Sequence, residues 1–312
     1  MDIHLYYWLG LTAFIIIMLC LDLFIFQKES HTIAFREAII FSLMWIALAI
    51  IFGIIVYFSF GAKSTLEYFG AYLIELSLSV DNLFVFILLF SYFNVPQMYR
   101  HKVLFWGIIG AFIMRIIFIL VGIKLIREFE WILYIFGLIL IYSAIKLFTG
   151  RGKKVSVDKN PIVRFVGRFL PVSDGYIDGQ FFVKKEKKII FTPLFLTLIV
   201  VETTDVMFAL DSIPAVFGVT LDPFIAFSSN AFAVLGLRAL YFAIANLIEL
   251  IRFLNYGLSV ILFFIGIKML IGHFIEIPIY VTLLTIAVIL FVTIIFSFIY
   301  PDEKKDLNIN SN

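Results

Sequence analysis

Nine runs of predominantly apolar residues follow one another along this chain of 312 residues, at 5–26, 37–60, 66–93, 101–124, 130–148, 190–216, 223–248, 253–272 and 277–300. Each is close to the ~20 residues that an α-helix needs to cross the hydrocarbon core of a bilayer. No water-soluble fold of this size can bury so much Ile, Leu, Val and Phe, since 63% of the residues are hydrophobic and only 15% charged. The fold class that follows is an all-α polytopic membrane protein. It forms one membrane domain over 1–300, followed by a tail at 301–312. Two starts carry local signals: Ser64-Thr65-Leu66-Glu67 reads as a capping box, and Asp222-Pro223 as a cap followed by a first-turn proline. The only polar residues before the first run are Asp2 and His4, without the Lys/Arg-rich flank of a signal peptide, so it is expected to stay as a helix.

Basic residues orient the chain. With the N-terminus outside, 17 of the 24 Lys and Arg fall in cytoplasmic segments and 3 (Lys63, Lys124, Arg127) in external ones, the remaining 4 lying within runs. This asymmetry places the N-terminus outside and the C-terminus inside. Segment 150–189, with ten basic residues, Pro161, Pro171 and a Ser173-Asp174-Gly175 turn signal, is read as a basic cytoplasmic loop lying near anionic headgroups. The near balance of charge, at +2 overall, gives no support for nucleic-acid binding. The single cysteine, Cys20, excludes an intrachain disulfide or a multi-cysteine metal centre.

The two halves resemble each other. Glu75-x5-Asp81-Asn82 in the third run has a counterpart of equal spacing in Asp205-x5-Asp211-Ser212 of the sixth. Arg115 in the fourth run is matched by Arg238 in the seventh, and Ile145-Lys146-Leu147 in the fifth by Ile267-Lys268-Met269 in the eighth. Three helices are an odd number, so the second copy lies upside down relative to the first. Such an inverted 3+3 repeat is a recurring plan of secondary transporters, whose substrate site lies near the midplane where the copies meet.

Six carboxylates fall inside the runs beyond their first two residues: Asp22, Glu75, Asp81, Glu202, Asp205 and Asp211. Each is costly at depth unless paired or hydrated. In a regular helix, Glu75 and Asp81 would stand about 120° apart on the wheel and about 9 Å apart along the axis, so either these helices are surrounded by protein or they break near the acids. Pro214 supplies a reason in the second copy, and the period-two alternation of Glu75, Ser77, Ser79 and Asp81 suggests local unwinding in the first. Carboxylates, the Asn82 amide and hydroxyls from Ser212, Ser79 or Thr204 make an oxygen-rich set suited to hard divalent cations: Mn²⁺, Mg²⁺ or Ca²⁺. The same acids could instead form an internal salt-bridge network with Arg115 and Arg238 that only holds helices together. Asp22 is a candidate for an access path, and Lys146 and Lys268, near run ends, are expected to snorkel to the interface.

The stretches Glu75-Leu-Ser-Leu-Ser-Val-Asp81-Asn82, Val201-Glu202-Thr203-Thr204-Asp205 and Phe208-Ala-Leu-Asp211-Ser-Ile-Pro214 closely resemble the TerC family. So do Arg100-His-Lys-Val-Leu-Phe-Trp-Gly107, Asp222-Pro-Phe224, and Ser229-Asn-Ala-Phe232 running to Leu235-Gly-Leu-Arg-Ala-Leu-Tyr241. The match covers roughly residues 1–300 and looks nearest to the Alx branch. The resemblance implies a protein of the cytoplasmic membrane, linked to metal homeostasis, in particular manganese export, and historically to tellurite resistance. It also implies a distant relation to the LysE-type exporters, which an inverted three-helix repeat suits. Some members are described as redox modulators and plastid relatives as helpers in membrane-protein insertion.

The expected activity is secondary-active export of a divalent metal ion, manganese first. Glu75, Asp81, Asp205 and Asp211 would line the site, with Glu202, Asn82 and Ser212 as supporting ligands and Arg115, Arg238 and Asp22 as charge partners. Repulsion among converging carboxylates would let protons take the place of a departing metal, which suggests proton antiport; a sodium-coupled cycle can be written from the same residues. No tightly bound cofactor, enzymatic activity or oligomeric state is implied: nucleotide-binding motifs and His-containing catalytic spacings are absent from the sequence. The alternative is a membrane scaffold or redox-modulating protein without transport, using the basic loop as a docking surface.

Overall fold

The computed structural model describes residues 2–26, 35–149, 171–173, 175–185, 188–244, 253–272, 274–275 and 277–299. Among them the chain forms eight helices: α1 (Asp2–Phe26), α2 (Phe35–Tyr92), α3 (Gln97–Glu128), α4 (Ile132–Phe148), α5 (Pro193–Phe217), α6 (Pro223–Ile244), α7 (Leu254–Ile271) and α8 (Ile279–Ile299). A hairpin of β1 (Phe182–Lys185) and β2 (Lys188–Phe191) precedes α5. Arg36–Ser79, α3, α5, α7 and Ile279–Ser297 are long and apolar enough to cross a membrane; Leu5–Leu21, Ile132–Phe148 and Pro223–Leu237 are shorter apolar helices. Large apolar side chains such as Phe58, Leu138, Leu284 and Phe291 are exposed on the outer faces, as lipid-facing residues must be. The molecule is an all-α polytopic membrane protein.

α2 contains two of the expected spans. They meet at Gly61, whose φ of 83° and ψ of 178° are open to glycine because a Cβ would collide with the backbone. Glu67 does not close the capping box expected there: its Oε2 accepts a hydrogen bond from Thr220 Oγ1 at 2.7 Å instead, joining α2 to the start of α6. The Asp222 cap forms as expected, its Oδ1 accepting from the backbone N–H of Phe224 at 2.8 Å and of Ile225 at 3.0 Å.

The expected breaks near the acids do not occur. α2 stays helical from residue 62 to Tyr92, through Glu75 and Asn82, and α5 runs through Pro214 to Phe217. A buried proline removes only one helical hydrogen bond, and close packing tolerates that loss. Lys268 also departs from the expected snorkelling. Its Nζ donates to the carbonyl of Gly218 at 2.9 Å, satisfying a free acceptor at the C-terminal end of α5.

Helix pairing organises the core. α2 packs along α6, α3 against α5 and α6, and α4 along α7. α4 and α7 cross closely where a Cβ on Gly137 would lie 3.0 Å from the Gly266 carbonyl oxygen. Around α6, Trp8, Phe14, Phe52, Tyr68, Phe224 and Phe232 form an aromatic cluster with ring separations of 4.8 to 6.4 Å. It wedges α1 and the first part of α2 against the remaining helices.

Part of the 150–189 segment is folded. Residues 150–170 and the tail at 301–312 lie outside the described residues, as do the side chains of the lysines around the hairpin tip. The hairpin end docks on the turn between α2 and α3. There Tyr176 Oη donates to the Phe93 carbonyl at 2.7 Å, and Lys102 Nζ donates to the Gly179 carbonyl at 2.7 Å.

Candidate functional site: a buried carboxylate–arginine cluster

Glu75 on α2, Arg115 on α3 and Asp205 on α5 meet inside the bundle, each at most 4% exposed. Arg115 Nη1 donates to Glu75 Oε2 at 2.5 Å, and Nη2 to Asp205 Oδ1 at 3.4 Å. Three charges at this depth persist because each neutralises another; an isolated one would cost several kcal/mol. Two carboxylates against one guanidinium still leave one formal negative charge. Glu75 Oε1 and Arg115 Nε are buried with no hydrogen-bond partner among the described atoms. Among the described side chains the cluster therefore keeps one carboxylate more than it has guanidinium, and an unsatisfied acceptor in Glu75 Oε1 to which a cation could bind, beside the unsatisfied donor Arg115 Nε.

Glu202 stands one helical turn from Asp205 on α5, close enough for their charges to interact. Its carboxylate occupies the space that Gly110 on α3 leaves open: a Cβ on Gly110 would collide with both Glu202 carboxylate oxygens. Beside this pair an apolar crevice runs between α2, α3, α5 and α6, lined by Phe86, Leu104, Ala111, Val201 and Leu237, with Asp205 in its wall.

The other acidic motif is held separately. Asp211 Oδ1 accepts a hydrogen bond from Ser143 Oγ on α4 at 2.7 Å, and the charge of Lys146 lies within its reach. Ser212 and Ser79 have buried hydroxyls with no partner among the described atoms, whereas the Thr204 and Ser77 hydroxyls donate to the carbonyls of Val200 and Leu73 one turn earlier. Of the four oxygen donors expected from small polar side chains, Asn82, Ser212 and Ser79 are buried, and the Thr204 proton is spent on its own helix. The side chains of Asp22, Asp81 and Arg238 lie outside the described residues.

The structure thus joins Glu75 and Asp205 around Arg115, sets Glu202 one turn from Asp205, and puts Asp211 on the α4 side of α5. Among the described residues no three His, Cys, Asp or Glu side chains converge as a ready-made metal cage. Ser143 and Gly110 are parts of the site that sequence reasoning passed over. A serine in an apolar helix and a glycine in another carry no signal until the partner helix is known.

The chain matches the family model described as integral membrane protein TerC family over residues 60–305. It is 43% identical over 292 residues to an uncharacterized membrane protein of Myxococcus xanthus, covering 94% of this chain and 92% of that one. An uncharacterized membrane protein of Rickettsia bellii is 41% identical over 290 residues, or 93% of this chain and 96% of its own. A protein of Escherichia coli K12, provisionally named membrane-bound redox modulator Alx, is 42% identical over 299 residues, covering 93% of each chain. No solved structure matches the chain at a significant level.

Proposed function

Since the chain belongs to the TerC family of integral membrane proteins, we propose that it is a secondary-active transporter that exports a divalent metal ion, manganese first, across the cytoplasmic membrane. The observation that carries this reading is the Glu75–Arg115–Asp205 cluster. Buried carboxylates that line no path are a costly way to hold helices together, since apolar side chains of similar volume pack as well or better. In a transporter the same cluster has work to do. Arg115 neutralises the acids while the site is empty, and an arriving divalent cation takes over that role as the guanidinium withdraws. Asp205, Glu202 and the unsatisfied Glu75 Oε1 supply oxygens for that exchange, with Asp81, Asp211, Asn82 and Ser212 as further ligands along the route. Protons are the coupling ion in this reading, replacing the metal on the carboxylates at release; sodium is the rival. Manganese suits carboxylate and carbonyl oxygen better than it suits sulfur.

The pairing of helices supports an inverted repeat. With α2 taken whole, exchanging it with α5, α3 with α6 and α4 with α7 turns the α3–α5 contact into the α2–α6 contact and the α4–α5 contact into α2–α7, and it leaves α4–α7 unchanged. The cluster then lies where the two copies meet, the usual address of a transported ion. The 17-to-3 distribution of basic residues favours an outward N-terminus and an inward C-terminus. The redox role in the name of the Escherichia coli relative fits this chain less well: Cys20 is its only cysteine, so a thiol–disulfide cycle would require a second chain.

The test is Mn²⁺ flux in proteoliposomes under an imposed pH gradient, comparing wild type with Asp205→Asn and Asp211→Asn at equal insertion. Gradient-driven flux that either substitution abolishes is the expected result. Absence of flux for Mn²⁺, Mg²⁺, Ca²⁺ and Zn²⁺ under proton and sodium gradients alike would overturn the reading in favour of a scaffold.

A further inference from the structure

Asn230 on α6 is completely buried, and neither its Oδ1 nor its Nδ2 has a hydrogen-bond partner among the described atoms. A primary amide can make up to four hydrogen bonds, so leaving both ends unmet at the centre of a bundle is costly and calls for a ligand or a function. The direction of the side chain follows from the helix. Phe224 packs on Trp8, Phe232 on Phe14 and Phe52, and Gly236 beside Trp45, so that face of α6 belongs to α1 and the first part of α2. At about 100° per residue, Asn230 lies on the opposite face, in line with Leu237 seven residues on. Leu237 lines the crevice whose wall includes Asp205.

Depth follows from the neighbouring helix. Phe227 meets Phe112 of α3 with ring centroids 6.4 Å apart, while Leu237 shares the crevice with Leu104 and Ala111, so the two helices run antiparallel. Asn230, between Phe227 and Leu237, therefore sits at the level of Ala111, about one turn from Arg115 and level with Gly110, where the Glu202 carboxylate rests. α2, α3 and α5 each bring a charged group to this layer, and α6 brings a neutral amide.

We propose that Asn230 is a ligand of the transported ion, its Oδ1 coordinating a hard divalent cation held between the α5 acids and Glu75. The inference rests on the transporter reading above. An amide oxygen adds a ligand without adding charge, so the ion is held by geometry as well as by carboxylates, and affinity stays low enough for release.

The experiment uses the full-length protein with Mn²⁺ as the probe, measuring Mn²⁺ binding by calorimetry and Mn²⁺ flux in proteoliposomes. Asn230→Leu keeps the volume and removes both polar ends; it should raise the Kd and the KM for Mn²⁺ by about tenfold or more without lowering the unfolding temperature. Asn230→Asp keeps an oxygen and adds charge, and should shift the preference for Mn²⁺ over Mg²⁺ while still binding. Wild-type affinity in Asn230→Leu would overturn the inference and leave the transporter reading intact. If Asn230→Leu fails to insert, unchanged metal preference in Asn230→Asp would overturn it equally. A wild type that neither binds nor carries Mn²⁺ would remove the transporter reading, and the inference with it.

Discussion

Arg115 on α3 reaches Asp205 on α5 at 3.4 Å while its other terminal nitrogen holds Glu75 on α2. One guanidinium therefore ties together three helices through charges that would each be untenable alone. The planar fork of arginine suits this task, because two nitrogens can face two carboxylates at once, which the single ammonium of lysine cannot do.

Removing only the arginine leaves two buried carboxylates facing each other. Arg115→Leu should lose about 3–5 kcal/mol of stability, read as a large drop in the unfolding temperature in detergent. The combined variant Glu75→Gln, Arg115→Met, Asp205→Asn should recover most of that loss, because its buried charges are gone. It should carry no Mn²⁺. Recovery of flux together with stability would mean that the cluster is only a strut.

Gly110→Ala places a methyl group where the Glu202 carboxylate sits. It should destabilise the protein by about 1–3 kcal/mol and reduce flux, as overpacking does in a dense interior. Glu202→Ser in the same chain should restore the unfolding temperature and leave flux impaired. An additive double variant would disprove the contact.

Ser143→Ala deletes the donor to Asp211. A loss of about 1–2 kcal/mol is expected, together with a higher KM for Mn²⁺, since the carboxylate is no longer held in place. Ser143→Thr keeps the hydroxyl and should restore both. Kinetics identical to wild type in Ser143→Ala would show that this carboxylate is not part of the ion path.

Gly61→Ala forces a side chain into a conformation that only glycine adopts without strain. The expected cost is about 1–3 kcal/mol, visible in thermal unfolding, with little effect on Mn²⁺ affinity because the site lies far along the helix. A change in affinity without a change in stability would instead make Gly61 a hinge in the transport cycle.

Burial pushes the Tyr176 hydroxyl above its ordinary value of about 10 while the group donates to the Phe93 carbonyl. Its folded pKa is raised, so docking of the hairpin is fully supported below pH ~10 and weakens as pH climbs past that value, where the undocked phenol ionises first. Proteolysis within 171–191 should accelerate above that pH, and Tyr176→Phe should abolish the pH dependence while raising cleavage at all pH values. A flat profile in wild type would show that the hairpin is held by other contacts.

Apolar runs of membrane-spanning length could be read directly from the chain, because a bilayer demands an unbroken stretch of apolar residues and internally satisfied backbone whatever the tertiary fold. The Asp222 cap and the acids of the cluster were legible for the same kind of reason: a local pattern or an anomalous charge stands out against an apolar background. Pro214 and the alternating serines misled, since the sequence offers the backbone alternatives that only the packed neighbours decline. Which acid faces which base is a different matter. The charges of Glu75, Arg115 and Asp205 were visible along the chain, but their meeting depends on how three helices rotate about their axes. The space for Glu202 is an absence on another helix, and the donor for Asp211 is one serine among many. What the chain dictated by itself was solvent, span length and the presence of charge at depth. Tertiary structure alone decided the pairing of those charges, because pairing depends on helix rotation and close approach, which no local preference sets.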